Sequence, residues 1–281
     1  MIGPIRQLED GAARIGAGQF DHRIELATGD ELEQLATSFN EMAVELSVSQ
    51  ERSLRIARLK RFLAPQVAEL VDRTGDDRVL DGRRVEVVVV FCDLRGFTAF
   101  SVRADTETII GVLREYYDAL ERVVNAHEAT LVNFSGDGAM VLVNAPVSRP
   151  DPALRAIVMA SDMQKAVQKL LAGWRSLDRR LGFGIGLAMG PATVGRIGSE
   201  GRLDYTAIGN VVNLASRLCA SADDNQILVD LAAAQAIGSK VSLVQLDARA
   251  LKGFDQPVPV FAACEGSEDI CQRLPDSRDN H

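Results

Sequence analysis

The spacing of apolar positions changes twice along the chain, and those changes divide it. Between Pro4 and Ile15, apolar side chains fall at Ile5, Leu8, Ala12 and Ile15, a 3-4-3 spacing. A second stretch places Leu32, Leu35, Phe39, Met42 and Leu46 at 3-4-3-4. Such narrow seams suit helices that pair in a coiled coil rather than one laid on a globular core. Residues 16–29 read as a connector, with Phe20, Ile24 and Leu26 as spaced apolar points. Gly29-Asp30-Glu31 then opens the second helix with acids in its first turn, where the helix dipole favours them. A charged helical segment is predicted from Gln50 to about Arg73, its Arg58-Leu59-Lys60-Arg61 run reading as a solvated face. Residues 74–84 read as a polar linker or turn.

From Val85 the pattern becomes alternating strands and helices. Val85–Phe91 is a β-branched run suited to a central strand buried on both faces. Thr106–His127 predicts a helix with the stripe Ile109, Leu113, Tyr116, Leu120 and Val123. Strands at 129–134 and 139–143 flank Ser135-Gly136-Asp137-Gly138, a hairpin turn. Pro152 is placed to begin a helix reaching about Trp174. Two strands, 183–189 and 192–197, follow; a short strand near Tyr205 precedes a helix from Asn210 to Ala220. Further strands are expected near Ile227, Leu243 and Val258. Strand-helix-strand-strand-helix-strand predicts an α+β, ferredoxin-like βαββαβ core with extensions. The polar tail after Glu265 is expected to be disordered.

Composition narrows the function. The 281 residues allow one or two domains, and 47% hydrophobic with 25% charged residues is ordinary for a soluble protein. A net charge of −8 argues against a nucleic-acid binder, which needs a basic face. An anionic nucleotide would have to be met through metal ions and a few local cations. Cys92, Cys219, Cys264 and Cys271 are scattered without ligand spacing and read as reduced thiols of a cytosolic compartment. No apolar run reaches the roughly 18 to 20 residues that span a bilayer.

Two carboxylates carry the candidate chemistry. Asp93 leaves the buried strand in Phe91-Cys92-Asp93-Leu94-Arg95-Gly96-Phe97-Thr98, and Asp137 sits on the hairpin expected beside it. Alone, Asp93 would read as a capping residue and Asp137 as a turn residue. Together they offer hard oxygen ligands of the kind Mg²⁺ and Mn²⁺ prefer, and the Gly96 turn can aim backbone N–H groups at phosphate oxygens. Asn213 and Arg217 lie four apart on the predicted helix and share a face, with Val212, Ala215 and Leu218 toward the buried side.

The segments Phe91–Thr98, Phe134-Ser135-Gly136-Asp137-Gly138 and Tyr205–Arg217 resemble, in order and spacing, the three signature segments of class III adenylyl/guanylyl cyclases. The resemblance spans about residues 80 to 263. It implies that Asp93 and Asp137 hold two Mg²⁺ or Mn²⁺ ions per site, that Asn213 orients the ribose, and that Arg217 stabilises charge on the pentavalent phosphorus. Lys252, in Leu251-Lys252-Gly253-Phe254, matches a lysine that contacts the triphosphate, as would the turn Gly96, Phe97 and Thr98. It implies an active site at a homodimer interface, the metal carboxylates on one subunit and Asn213, Arg217 and Lys252 on the other. The first fifty residues resemble a HAMP signalling module, a parallel coiled coil across a homodimer; an amphipathic helical hairpin is the plainer alternative.

The expected organisation is HAMP 1–50, connecting helix and linker 51–80, catalytic domain 81–265 and tail 266–281. The expected partners are ATP, with GTP as the alternative, a second copy of the chain and an upstream membrane sensor segment. The chain is then the cytoplasmic portion of an inner-membrane protein. Three positions depart from the family pattern. Asn133 stands where adenylyl cyclases place a base-reading lysine, Thr206 is its expected partner at the purine edge, one from each subunit, and Gly184 replaces a basic residue common before the following strand. A guanylyl or base-tolerant cyclase, or a catalytically silent cyclase-like module, are the competing readings. The Gly-Gly-Asp/Glu-Glu-Phe loop of a diguanylate cyclase is absent.

Overall fold

The computed structural model describes residues 2–60, 65–74, 80–178, 180–199 and 202–263. The chain forms two compact units, Met1–Phe62 and Leu63–His281. The expected tail, 266–281, lies outside the described residues, as do Cys264 and Cys271.

In the first unit, α1 (Ile2–Gly16) and α2 (Glu31–Lys60) are joined by an extended connector. Asp30 caps α2, its Oδ1 accepting from the Leu32 N–H at 3.1 Å, while Glu33 reaches back to the Gly29 N–H at 2.8 Å. The small core comprises Leu8, Ile15, Ile24, Ala36 and Ala43, with Phe20, Leu26, Leu32 and Phe39 packed against it. The expected seam is thus only half used within one chain. Ala36 and Ala43 are buried, whereas their neighbours Leu35, Met42 and Leu46 are 46%, 43% and 41% exposed. Asn40 clasps the connector, its Oδ1 accepting from the Ile24 N–H at 2.9 Å and its Nδ2 donating to the Ile24 carbonyl at 3.0 Å. The charged segment expected to start at Gln50 is the continuation of α2 to Lys60. A separate helix, α3 (Pro65–Thr74), opens the second unit with its proline at the first position.

The second unit is built on an eight-stranded sheet. Its elements are β1 (Arg83–Arg95), the short α4 (Phe97–Ser101), α5 (Thr106–Ala126), β2 (Thr130–Ser135), β3 (Gly138–Val143) and α6 (Pro152–Trp174). They continue with β4 (Gly182–Ser199), β5 (Arg202–Ile208), α7 (Asn210–Ser221), β6 (Gln226–Asp230), α8 (Leu231–Ile237), β7 (Leu243–Arg249) and β8 (Val258–Ala263). The strand order is β2-β3-β1-β4-β6-β8-β7, with β5 pairing β4. The first four strands and α5 and α6 reproduce the ferredoxin-like pattern, with β1 antiparallel to both β3 and β4.

Alternation along β1 assigns its two faces. Val88, Val90, Cys92 and Leu94 join the core formed with Tyr116, Leu120, Ile157 and Met163 of α5 and α6. Asp93 and Arg95 therefore stand on the opposite face, the one α7 covers. Close approach fixes that cover: a Cβ at Gly186 of β4 would lie 2.1 Å from the Cys219 backbone nitrogen of α7.

The two strands expected at 183–189 and 192–197 are one. Pro191 does not end β4, because its nitrogen meets no strand. The Met189 N–H, two residues earlier on the same side, donates at 3.1 Å to Asp230 Oδ1 beyond the end of the β6 pairing, and β5 pairs only from Thr193 onward. The helix α8 was not expected; Asp230 caps it through the Ala233 N–H at 3.1 Å.

Candidate active site

The sheet register sets the two carboxylates side by side. Asp93 pairs with Gly138 of β3, the residue after Asp137, and with Gly184 of β4. Burial, then the Asp137 carboxylate beside it, push the Asp93 carboxyl up to about 6, against the opposing pull of Arg95. Arg95 Nη1 lies 3.2 Å from Asp93 Oδ2. Among the described residues no group of three or more His, Cys, Asp or Glu side chains is placed to hold a metal ion.

The hairpin turn that carries Asp137 is braced from α5. Tyr117 stacks on Phe134 with ring centroids 3.9 Å apart, and its hydroxyl donates to the Gly136 carbonyl. Burial and the Asp137 charge raise the Tyr117 hydroxyl above its usual pKa. Neither Tyr117 nor Arg95 stood among the residues read from sequence as functional. For Arg95 a signal existed, two residues along the same strand face as Asp93; for Tyr117 there was only its place beside the Tyr116 stripe.

Beyond Asp93 the chain turns at Gly96, φ 75°, where a Cβ would come within 2.7 Å of the Arg180 carbonyl oxygen. Both the dihedral and the space call for glycine. Phe97 packs its side chain into the core, 5.8 Å from the Phe100 ring centre, so only its backbone can serve a ligand; Thr98 is exposed.

The remaining candidates sit elsewhere on the unit. Asn213 and Arg217 share the exposed face of α7, whose buried face is Val211, Ala215, Leu218 and Cys219, with Val212 only half-buried. Lys252 is exposed on the loop between β7 and β8, after buried Leu251. Asn133 is exposed at the register shift of β2, and half-buried Thr206 lies on β5 opposite Gly195. Strands β2 and β5 touch within one chain.

Cys92 and Cys219 are free and buried, and burial raises both thiols, that of Cys219 to about 11. No helix among the described residues is long and apolar enough to cross a membrane.

Comparison with known proteins identifies the family. The family model for the adenylate and guanylate cyclase catalytic domain matches residues 81–262, and that for the HAMP domain matches residues 1–47. An adenylate cyclase of Anabaena cylindrica is 28% identical over 225 residues, covering 76% of this chain and 44% of that protein; the chain thus spans less than half of that relative's length. Among solved structures, the adenylyl cyclase CyaB from P. aeruginosa matches with a TM-score of 0.65 and 30% identity over 68% of this chain and 99% of that one. The guanylyl cyclase Cya2 matches with 0.60 and 32% identity over 66% and 97%. The chain belongs to the class III adenylate and guanylate cyclase family, its catalytic domain preceded by a HAMP domain.

Proposed function

We propose that the chain converts ATP to 3′,5′-cyclic AMP and pyrophosphate at sites shared between two copies of itself, under the control of its HAMP domain. The observation that carries this reading is the Asp93–Asp137 pair, two like charges held together with a raised Asp93 carboxyl. Such a pair fits a hard divalent cation, which would relieve the repulsion and take its other ligands from phosphate oxygens. Two Mg²⁺ or Mn²⁺ ions per site, held by Asp93 and Asp137, would supply activation of the ribose 3′-hydroxyl and neutralisation of the departing pyrophosphate.

The chain's own residues bind and orient the nucleotide. The Gly96–Thr98 turn offers backbone N–H groups, and Lys252 offers a mobile cation, to the triphosphate. Asn213 orients the ribose, and Arg217 stabilises charge on the phosphorus as the 3′-oxygen attacks. Both stand on the outward face of α7, which supports completion of the site by a second copy. The exposed seam Leu35, Met42 and Leu46 supports pairing of the HAMP helices in the same dimer. On this reading the organisation is HAMP 1–50, connector 51–80 and catalytic domain 81–265, with a membrane sensor upstream and the whole on the cytoplasmic side.

Asn133 and Thr206 give a second reading its support. Each side chain both donates and accepts, so neither excludes guanine. Purified protein with Mn²⁺ and either ATP or GTP, with the cyclic product identified, tests both. Cyclic AMP as the main product is expected. Predominant cyclic GMP would favour the second reading, and no product with either nucleotide would leave a silent module.

A further inference from the structure

Arg95 occupies a place prepared for it. Its side chain folds back along β1, with Nη1 3.2 Å from Asp93 Oδ2. Nη2 donates to the Cys219 carbonyl oxygen in the last turn of α7, the negative end of the helix dipole. The seat beneath the guanidinium is Gly184, where a Cβ would stand 2.3 Å from Nη2, 2.7 Å from Nε and 2.8 Å from Cζ. Any larger residue at 184 would expel the guanidinium. Nε is shielded from water and has no acceptor among the described residues, so the donor capacity of this cation is not used up.

These facts bear on Gly184, where the family resemblance implies a basic residue and this chain has none. We propose that Arg95 is a phosphate-binding residue of the cyclase site, supplying from β1 the cation that β4 lacks at Gly184. The proposal rests on the reading of this site as one for a nucleotide triphosphate. Arg95 immediately precedes the Gly96 turn and adjoins the carboxylate pair, so its charge lies where β- and γ-phosphate oxygens would meet the chain. Its planar fork matches phosphate oxygens in two-point contact. The carboxylate it now pairs is the one a divalent cation would neutralise, which frees Nη1 for an anion.

A purely structural brace between Asp93 and α7 is the competing explanation, and the two differ in sign. Removing a cation weakens anion binding while leaving a neighbouring divalent cation no less welcome. Removing a brace weakens both.

The test uses the full chain. Calorimetry measures inorganic pyrophosphate in excess Mg²⁺, and electron paramagnetic resonance measures Mn²⁺ alone. Arg95→Met is expected to raise the pyrophosphate Kd about tenfold, or roughly 1.4 kcal/mol, with Mn²⁺ binding not weakened. Arg95→Lys, which keeps the charge but not the fork, is expected to lose less. The double variant Arg95→Met/Gly184→Arg, moving the cation to β4, is expected to recover pyrophosphate binding. An unchanged pyrophosphate Kd in Arg95→Met, parallel loss of Mn²⁺ and pyrophosphate, or a folded double variant without recovery would each overturn the proposal. Wild-type protein that binds no pyrophosphate, or an Asp137→Ala variant that binds it equally well, would instead defeat the cyclase-site reading itself.

Discussion

On the proposed reading, Asn133 is the side chain on which base choice would turn. A lysine there would donate to adenine N1 and would face the N1–H donor of guanine, whereas the asparagine amide can flip to suit either. Asn133→Lys is therefore expected to raise the ATP:GTP ratio of kcat/KM by about tenfold, or roughly 1.4 kcal/mol of differential transition-state binding. An unchanged ratio in a folded, dimeric variant would show that Asn133 does not read the base. Asp93 makes a second prediction, for metal-free protein. Its carboxyl is pushed up to about 6 in the fold against 3.8 for an ordinary aspartate, so the folded state holds this proton more tightly. Its contribution is most favourable below about pH 4 and is lost as pH rises through 6. In EDTA, Asp93→Asn should thus raise Tm at pH 8 and change it little near pH 4. A lower Tm at pH 8 would mean that the carboxylate is not under the strain its surroundings imply.

At the scale of elements, the clasp between Asn40 of α2 and Ile24 invites removal. Asn40→Ala deletes two hydrogen bonds to one connector residue, each worth about 1 kcal/mol. The first unit should melt earlier, and basal cyclase activity should change with it. An unaltered melting profile and unaltered activity would make the clasp incidental. Most elements could be read from the chain, since buried strands such as Val87–Val90 and the Pro152 helix start carry local signals. What could not be read depends on partners. Pro191 looked like a break because sequence does not say which side of a strand lies unpaired. The α8 sequence, rich in alanine and seven residues long, has too few turns for a stripe. Asp93 and Asp137 were legible because each lies in a short motif, whereas the role of Arg95 needs Gly184 and Cys219, brought to it only by the folded sheet.

For the whole molecule, shared sites predict complementation. Asp137→Ala and Arg217→Ala should each be inactive alone, because in a symmetric dimer either substitution spoils both sites. Mixed dimers would hold one intact site and should recover part of the activity. No recovery, despite demonstrated heterodimers, would contradict the shared-site reading. The unbroken β4 gives this arrangement a mechanical side. Toward one end of the strand Gly184 lies under Arg95 and pairs with Asp93, and toward the other Gly195 pairs with Thr206 of β5; on the proposed reading the first serves the metal ions and the second the base. If each chain lends those ends to different nucleotides, β4 is a strut between two reaction centres. A tug on the base in one would be felt at the phosphates of the other, and the dimer would behave as a single machine with two mouths.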